Sequence, residues 1–462
     1  MLETQRRVAS SSMRVHFIAI GGSAMHNIAL AVQAAGHEVT GSDDQIFEPS
    51  RSRLRNAGLL PAKDGWQPQL LDATIDVVVL GMHARLDNPE LEKAQSLGLN
   101  IQSYPEFLRS CNAHAQRVVI GGSHGKTTIT SMLLHTMRQC NIETNFMVGA
   151  QLDGFDRMVE IDPSHSWCVL EGDEYLSSPI DRRPKFFWYG AHYTLLTGIA
   201  WDHINVFPTE EHYILQFDQY LRTLETGATV VWCEEDEKLR DVVGRCERED
   251  LTFIGYRTPT YHPDEAGTMR VTFEDGSQLT TRLVGTHNIQ NLAGARALAA
   301  TMGIAVSDFD RGIASFQGAA RRLETVHEAP GFTVFRDFAH APSKVRATVN
   351  GVKASYPERT VTAVLELHTF SSLNQDFLPT YAHALDGADE AIVFYDPSVL
   401  EHKRMPALDP AFVREAFGNP PGLQVITDAA ELHGTVQALP PQNRTLLLMS
   451  SGWFANADWK WN

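Results

Sequence analysis

Short apolar runs alternate with amphipathic stretches along most of the chain, and this alternation predicts strands and helices in turn. Near the N-terminus, the runs 15–20 and 75–80 are almost continuously apolar, as expected of strands buried on both faces. A helical pattern that ends near Gly36 follows the first run, and residues 38–40 read as a short second strand. The first hundred or so residues therefore predict an open parallel α/β sheet.

The same alternation continues through two further segments. In the second segment the pattern predicts strands at 117–120, 167–170, 194–198 and 229–232, a hairpin around Asp275-Gly276, and helices at 127–140 and 288–302. In the third segment it predicts strands at 332–335, 361–367, 391–394, 424–426 and 445–449, with helices between them. A length of 462 residues also exceeds what one hydrophobic core normally holds. The sequence therefore predicts an α/β protein of three domains, at 1–113, 114–325 and 326–462.

Charge and composition narrow the range of functions. The formal net charge of -17 leaves no basic surplus for duplex nucleic acid, so no nucleic-acid partner is expected. No apolar run approaches the roughly 20 residues that span a bilayer, so no membrane insertion is expected. The five cysteines lack CxxC spacing, which favours reduced thiols over a zinc site or a disulfide framework. These features fit a cytoplasmic protein, and they leave its oligomeric state open.

The strongest local motif is a glycine-rich loop that follows a predicted strand and opens a predicted helix. It reads Gly121-Gly122-Ser123-His124-Gly125-Lys126-Thr127-Thr128. In this context, backbone N–H groups and a helix N-terminus can hold phosphates, with Lys126 at the β- and γ-phosphates and the Thr127 hydroxyl on Mg²⁺. The general motif GxxxxGK[ST] would place a glycine where this chain has Ile120, so the loop is a shorter variant. The loop predicts nucleotide binding.

Several further motifs resemble the Mur ligases of peptidoglycan synthesis. Besides the loop with His124 before Gly-Lys-Thr-Thr, the similar stretches are 15–22 with Met25, Val39-Thr40-Gly41-Ser42-Asp43, Glu171-Gly172-Asp173-Glu174, Asp202-His203, Gly285-Thr286-His287-Asn288 with Asn291, Ala320-Arg321-Arg322-Leu323-Glu324, and Asp337-Phe338-Ala339-His340. They stand in the family's order and span nearly the whole chain. The ordered set is more specific than any single stretch.

This resemblance implies a fold and an activity. It implies a Rossmann-like N-terminal domain that binds a UDP-sugar, a central P-loop ATPase-like domain, and a Rossmann-like C-terminal domain that binds the amine or peptide. Members of the family activate a carboxylate as an acyl phosphate with ATP and join it to an amine. The expected partner here is UDP-N-acetylmuramate, and the expected cofactors are ATP and Mg²⁺, which Mn²⁺ can replace.

The resemblance also assigns roles to individual residues. The expected catalytic residues are Lys126, His124, Glu171 and His203. The expected ATP contacts are Gly122, Ser123, His124, Gly125, Lys126, Thr127, Thr128, Asn288, Asn291, Arg322 and Asp337. The expected metal ligands are Thr127, Glu171 and His203. The UDP-sugar is expected at Gly21, Gly22, Ser23, Ser42, Asp43 and His83. The peptide substrate is expected at His340 and His368.

Three details resemble the branch of the family that re-attaches the recycled tripeptide L-Ala-γ-D-Glu-meso-diaminopimelate to UDP-N-acetylmuramate. They are Glu174-Tyr175 with residues 181–186, Phe338-Ala339-His340, and Met449-Ser450-Ser451-Gly452. A biosynthetic ligase that adds L-alanine is an alternative. An inactive nucleotide-binding scaffold is another, because the arginine that both branches have near His368 is absent. The turn 19–24 does not fit GxGxxG, which argues against a dinucleotide-dependent oxidoreductase.

Each assigned residue also has a simpler structural explanation. Glu171 and Glu174 are candidates for solvated acids at a strand end, and His203 for a structural histidine. Asn288 is a candidate helix cap and Asp43 a candidate turn residue. The order of the motifs along the chain favours the functional interpretation over these alternatives.

Overall fold

The computed structural model describes residues 12–461, apart from 150–151, 153–154, 156, 202–205, 264–267, 317 and 319–321. His203 and its neighbour Asp202 therefore lie outside the described residues, as do Ala320 and Arg321. The described residues form three sheets that are wholly or mainly parallel and one small antiparallel sheet. This is the three-domain α/β fold that the sequence predicts.

The N-terminal sheet is fully parallel and has the strand order β2-β1-β3-β4. Its strands are β1 (Arg14–Ile18), β2 (Glu38–Ser42), β3 (Val77–Leu80) and β4 (Ile101–Ser103). Its helices are α1 (Ser23–Ala34), α2 (Ser50–Asn56), α3 (Pro89–Ser96) and α4 (Tyr104–Cys111). All four residues of β3 are buried because helices cover both faces of a parallel sheet. Helix α4 begins with a capping box between Ser103 and Glu106.

The central sheet has the strand order β11-β10-β9-β5-β8-β6-β7, with β6 and β7 antiparallel and the other neighbours parallel. Its strands are β5 (Gln116–Gly121), β6 (Asn145–Met147), β7 (Val159–Glu160), β8 (Trp167–Glu171), β9 (Tyr193–Leu196), β10 (Thr229–Cys233) and β11 (Thr252–Tyr256). Its helices are α5 (Lys126–Gln139), α6 (Glu210–Thr223) and α7 (Glu237–Gly244). Strands β5 and β8 are neighbours, so the residues after them meet at one edge of the sheet.

A small antiparallel sheet and two helices follow the central sheet. The sheet consists of β12 (Thr260–Pro263), β13 (Met269–Thr272) and β14 (Gln278–Thr281). The helices are α8 (Thr286–Thr301) and α9 (Val306–Ile313). Helix α8 packs against α5 and also against α10 (Pro342–Ser355) of the C-terminal part, so it links the phosphate loop to the C-terminal part.

The C-terminal sheet has the order β15-β16-β20-β17-β18-β19, and β15 is its one antiparallel strand. Its strands are β15 (Glu324–Ala329), β16 (Phe332–Asp337), β17 (Thr360–Glu366), β18 (Glu390–Phe394), β19 (Gln424–Ile426) and β20 (Arg444–Met449). Its helices are α10 (Pro342–Ser355), α11 (Pro397–His402), α12 (Pro410–Ala416) and α13 (Ala429–Gln437). Its two faces carry separate apolar clusters. The N-terminal sheet shares one continuous cluster with the central part on one face and has a smaller cluster of its own on the other.

Every strand and helix that the apolar pattern predicts is present, with ends shifted by a few residues. Within the described ranges the pattern missed six strands, namely β4, β6, β7, β11, β12 and β15. Most of these have few residues or lie at a sheet edge, where a partly exposed strand carries no continuous apolar run. Among the described residues, no helix has both the length and the apolar character that a membrane span requires.

Candidate active site

The glycine-rich loop lies between the carboxyl end of β5 and the start of α5. Gly125 precedes the helix with φ 76°, and Gly122 has φ 113°. These angles favour glycine, and a Cβ on Gly125 would also collide with the Asn291 side chain of α8. The two glycines therefore let the loop take its shape and let α8 approach it closely.

Lys126, the first residue of α5, is held in a hydrogen-bonded ion pair. Its Nζ donates to Glu174 Oε2 and to Gly122 O, each at 2.6 Å. Burial lowers the pKa of Lys126, but the negative charges of Glu174, Asp173 and Glu171 outweigh it, so the pKa is raised overall. Lys126 is therefore a charged ammonium at neutral pH, located where the loop turns into a helix. Glu174 is thus a buried ion-pair partner rather than a solvated acid.

The Thr127 hydroxyl contacts side chains from two other parts of the chain. Its Oγ1 donates to Glu171 Oε1 at 2.6 Å, and Arg322 Nη2 donates to the same Oγ1 at 3.2 Å. The second oxygen of Glu171 accepts from the Gly149 backbone at 2.7 Å. A hydroxyl and a carboxylate at this distance are oxygen ligands of the kind that Mg²⁺ prefers. The donor set therefore fits a magnesium ion, while His203 lies outside the described residues.

A cavity of about 310 Å³ opens beside the loop. Seven of the expected ATP contacts line it, namely His124, Gly125, Thr128, Asn288, Asn291, Arg322 and Asp337. The other expected contacts, Gly122, Ser123, Lys126 and Thr127, belong to the loop but are not among the lining residues. The lining comes from the loop, from α8, from the segments that follow β9 and β10, from residues just before β15 and at the end of β16, and from α10. Residues far apart in sequence therefore line one cavity beside the loop that contains Lys126.

The cavity also has lining residues that the motifs did not indicate. Glu235 Oε2 accepts from Gln290 Nε2 at 2.7 Å and from the Thr258 backbone at 3.2 Å. Burial raises the pKa of Glu235, but hydrogen bonds from the Thr258 hydroxyl, from Gln290 and from the Thr258 backbone outweigh it, so the pKa is lowered and this carboxylate is ionised. Gln290 stands between Asn288 and Asn291 at the start of α8, so its place in that motif could have indicated it as a site residue. No motif could have indicated Glu235, because it lies in a loop after β10.

Asn288 is the third residue of α8 and does not cap the helix, because the N-cap position is Gly285 and no described side chain accepts from the first backbone N–H groups. Its side chain Nδ2 instead donates to Val284 O at 2.8 Å, just before the helix. Asn288 lines the cavity together with Asn291 one turn later. The helix-cap alternative for Asn288 is therefore wrong.

Of the three site residues expected in the C-terminal part, Asp337 lines the cavity and His340 and His368 do not. Asp337 lines the cavity, but its carboxylate accepts from Leu323 N at 2.8 Å and from Ala339 N at 2.7 Å, so it shapes the turn after β16. His340 Nδ1 donates to Phe338 O at 2.8 Å. His368 lies near the buried Glu366 at the end of β17, with Nδ1 3.9 Å from Oε1. Neither histidine is among the residues that line the cavity.

A contact of the loop residue His124 bridges the central and C-terminal parts. Its Nε2 is 3.0 Å from Ser343 Oγ, at the start of α10. Lys344, the next residue, also lines the cavity. The C-terminal part therefore supplies a hydroxyl and a second lysine to the nucleotide side of the site, and no sequence motif had indicated either of them.

The expected UDP-sugar residues lie at the carboxyl edge of the N-terminal sheet, away from this cavity. Gly21 N donates to Asp43 Oδ2 at 2.8 Å. Burial, and then the neighbouring Asp44, raise the pKa of Asp43 to about 7. Gly22 and Ser23 begin α1. His83 is exposed in the turn after β3.

Ser42 differs from the other residues of this group because its hydroxyl points into the interior. It donates to Glu90 Oε1 at 2.5 Å, and Gln67 N donates to the same oxygen at 2.6 Å. Glu90 is completely buried. The Ser42 side chain therefore ties β2 to α3, which leaves Asp43 as the polar side chain presented at the end of β2.

A phosphate loop with an ion-paired lysine, paired oxygen ligands for a cation and an adjoining cavity define a nucleotide-dependent enzyme. Comparison with known families narrows this class. Three family models match the chain in order: the Mur ligase family catalytic domain at residues 14–115, the Mur ligase middle domain at 120–299, and the Mur ligase glutamate ligase domain at 321–452.

Individual relatives agree with these models. A UDP-N-acetylmuramate–L-alanine ligase of Arthrobacter sp. (strain FB24) is 31% identical over 403 residues, which cover 84% of this chain and 82% of the relative. The UDP-N-acetylmuramate–L-alanyl-γ-D-glutamyl-meso-2,6-diaminoheptandioate ligase of Escherichia coli is 29% identical over 347 residues, covering 74% and 76%. The chain therefore belongs to the Mur ligase family, and it is an ATP-dependent, amide-bond-forming ligase of peptidoglycan synthesis.

Solved structures show the same fold. A murein peptide ligase from Psychrobacter arcticus aligns with a TM-score of 0.67 and 23% identity, over 96% of this chain and 97% of that one. A UDP-N-acetylmuramate–alanine ligase from Thermotoga maritima aligns with a TM-score of 0.72 and 20% identity, over the same shares. The similarity extends across all three domains.

Proposed function

We propose that this ligase joins the tripeptide L-Ala-γ-D-Glu-meso-diaminopimelate to UDP-N-acetylmuramate by way of an acyl phosphate. In this proposal residues 1–113 bind the UDP-sugar, 114–325 bind ATP, and 326–462 bind the peptide. The observation that carries the phosphate chemistry is the contact set of Lys126 and Thr127. A buried ammonium and a hydroxyl shared by Glu171 and Arg322 belong to the loop whose residues His124, Gly125 and Thr128 line a cavity of about 310 Å³.

The first step transfers the γ-phosphoryl group of ATP to the muramyl carboxylate. A carboxylate oxygen forms the new P–O bond as the bond to the β-phosphate oxygen breaks, and ADP is formed. Lys126 and Arg322 offset the charge that develops on the phosphate oxygens. A magnesium ion held by Thr127 and Glu171, with His203 as a further ligand, would supply additional positive charge there. His124 orients the carboxylate or the acyl phosphate through a hydrogen bond.

The second step is attack of the peptide amine on the acyl carbon. The amide bond forms, the bond to the phosphate oxygen breaks, and the amine loses its proton to solvent or to a nearby base. Asn288 and Asn291 hold the adenine, so the nucleotide stays in position during both steps. Arg322 and Asp337, at the junction with the C-terminal sheet, close over the nucleotide. Closure keeps water from the acyl phosphate, which would otherwise be hydrolysed.

The acceptor sugar nucleotide binds at the carboxyl edge of the N-terminal sheet. Gly21 and Gly22 form the turn into α1, and the N–H groups of the first helical turn, which begins at Ser23, can face a diphosphate. Asp43 ends the neighbouring strand and supplies a carboxylate for hydroxyl groups of the ligand. This edge is the usual ligand position in open parallel sheets. His83 completes the proposed set, whereas the Ser42 hydroxyl is held by the buried Glu90 and stabilises the edge from behind.

The tripeptide is favoured over L-alanine by the surface at the end of the C-terminal sheet. Phe370 and Trp453 follow the neighbouring strands β17 and β20 and are 61% and 62% exposed. His340 and His368 follow β16 and β17 at the same edge. Exposed aromatic side chains provide contact area that a peptide would use and a single alanine would not.

The segment that resembles the tripeptide branch supports the same choice. Lys185 Nζ donates to Asp173 Oδ2 at 2.5 Å, two residues from Glu171. The segment thus adds a second lysine next to the carboxylates of the phosphate site. The alanine-adding activity is the second candidate, and its support is the 31% identity to a relative of that name.

Phosphate release from ATP, measured with Mg²⁺ and UDP-N-acetylmuramate, tests the proposal. One reaction contains the tripeptide and the other contains L-alanine, and mass spectrometry identifies the product. We expect turnover with the tripeptide and a product equal to both substrates minus water. Turnover with alanine alone would assign the biosynthetic reaction instead, and no turnover with either would favour a scaffold. The Lys126→Ala variant serves as the blank for contaminating ATPases.

A further inference from the structure

Glu174 occupies an unusual position for an acidic residue, because it lies inside a site that binds phosphates. Its side chain is 1% exposed, and its Oε2 accepts from Lys126 Nζ at 2.6 Å. A phosphate-binding lysine is normally directed at its ligand. Here a carboxylate from the same site holds the ammonium, so a phosphate group and Glu174 compete for one cation.

A directional chain of hydrogen bonds supports the buried carboxylate from the other side. The Ala200 backbone donates to Ser123 Oγ at 2.8 Å, and Ser123 Oγ lies 2.8 Å from Tyr213 OH. Tyr213 OH in turn donates to Glu174 Oε1 at 2.9 Å. Because a hydroxyl that accepts one hydrogen bond donates the next more strongly, this chain stabilises negative charge on Glu174.

This arrangement limits how far Lys126 can move when a nucleotide binds. An ammonium that left Glu174 completely would leave a buried carboxylate without its counter-ion, which is costly. An ammonium group has three donors, so Lys126 can bind a phosphate oxygen and keep contact with Glu174. Phosphate binding is then weaker than it would be with an uncommitted lysine, and Glu174 also repels the phosphates directly.

We propose that Glu174 is a positioning residue that competes with nucleotide phosphates for Lys126 and thereby weakens ground-state nucleotide binding. It holds the ammonium in place before ATP arrives, and it recaptures the ammonium when ADP leaves. The hydrogen bond from Tyr213 stabilises the negative charge of Glu174 and weakens its attraction for Lys126, so Tyr213 sets the strength of this competition. The inference rests on the proposed role of Lys126 in phosphate binding.

The test is the dissociation constant of ADP with Mg²⁺, measured by calorimetry on the full-length protein. Glu174→Gln keeps the shape of the side chain but removes its charge, so Lys126 is released to the phosphate. We expect ADP to bind more tightly, by about threefold to tenfold, the range for a partly buried charge pair. A side chain with a merely structural role would give weaker binding on substitution, so the sign of the change is diagnostic.

Tyr213→Phe provides a second test with the opposite sign. Without the tyrosine hydroxyl, the Glu174 carboxylate loses a hydrogen-bond donor and therefore binds Lys126 more firmly. We expect ADP to bind about twofold to fivefold more weakly, again within the range for such pairs. In the Glu174→Gln background the same change should have no further effect. A loss that persists in the double variant would mean that Tyr213 acts through Ser123 alone, and it would overturn the proposed relay.

Glu225→Gln is the matched control for removal of an ion-paired carboxylate. Glu225 accepts from Arg117 at 2.8 Å and from Arg109 at 3.1 Å, at the opposite end of β5 from the loop. Its ADP affinity should equal that of the unmodified protein. Weaker or unchanged binding in Glu174→Gln, with ADP affinity still dependent on Lys126, would overturn the inference alone. Unchanged ADP affinity in Lys126→Ala would overturn the proposed phosphate site and the inference together.

Discussion

The carboxyl edges of the N-terminal and central sheets each present an acidic side chain beside a glycine turn, but the two acids have different partners. In the central sheet, Glu174 contacts the ammonium of Lys126 and the hydroxyl of Tyr213. In the N-terminal sheet, Asp43 has the Gly21 backbone and a second acid, Asp44, beside it. Burial and Asp44 raise the pKa of Asp43 to about 7.

Under the proposed function, the same edge of two parallel sheets binds two different kinds of ligand. Both edges place polar groups at the ends of parallel strands, where ligands bind in such sheets. The central edge contains its own cations, as expected for a triphosphate. At the N-terminal edge, Asp43 has backbone N–H groups but, among the described residues, no cation as its hydrogen-bond partner, so a ligand that brings hydroxyl donors would stabilise its ionised form. The charges of the central site are therefore already paired, whereas we propose that the N-terminal site is completed by its ligand.

The strongest test of the central half of this comparison is Lys126→Ala. Removal of the ammonium should lower kcat/KM for ATP by about a thousandfold or more, because the charge on the phosphates loses its main protein partner. The measurement is tripeptide-dependent phosphate release. Lys238→Ala removes a lysine that pairs with Glu210 on the surface, and it should leave the rate unchanged. Activity of the Lys126 variant near the normal level would place the phosphates elsewhere.

Thr127→Val should have the next largest effect. It removes the hydroxyl shared by Glu171 and Arg322 while keeping the side-chain volume. We expect kcat to fall on the order of 10-fold to 100-fold and the Mg²⁺ concentration for half-maximal rate to rise. Thr136→Val, a buried substitution on the same helix, is the control. An unchanged Mg²⁺ titration would remove Thr127 from the proposed metal site.

Asp43→Asn tests the N-terminal half. At pH 8.5, above the raised pKa of about 7, Asp43 is ionised and accepts hydroxyl hydrogen bonds strongly. The amide should raise KM for UDP-N-acetylmuramate about tenfold and leave KM for ATP unchanged. Asp76→Asn, at the opposite edge of the same sheet, should change neither constant. A larger effect on ATP than on the sugar nucleotide would reverse the assignment of the two edges.

The same substitution should produce a small, pH-dependent change in stability. A carboxyl whose pKa is raised on folding stabilises the fold when protonated, and this contribution is lost as the pH rises from about 4 to 7. Asp43→Asn is uncharged throughout. Its Tm should therefore exceed that of the unmodified protein by a few degrees at pH 8, and the gap should close near pH 4. Thermal unfolding without ligand measures this, and a constant gap would mean that Asp43 ionises normally in the fold.

Local patterns in the sequence determined most of the fold. Continuous apolar runs marked the buried strands, since a strand covered on both faces has no polar side. The glycines and Lys126 marked the phosphate loop, because backbone geometry and charge there depend on neighbours in sequence. The three-residue strand β6 and the edge strand β15 lacked such a signal.

Tertiary structure alone decided which charges meet. Lys126 and Glu174 are 48 residues apart, and Arg322 and Thr127 are 195 apart. No local pattern records such contacts, because they depend on the order of strands in the sheet and on the packing of α8 and the C-terminal part against the loop. The sequence by itself thus determined the class of enzyme and its phosphate loop. The folded chain decided that its lysine is already paired, and that Asp43 has a backbone N–H rather than a cation as its partner.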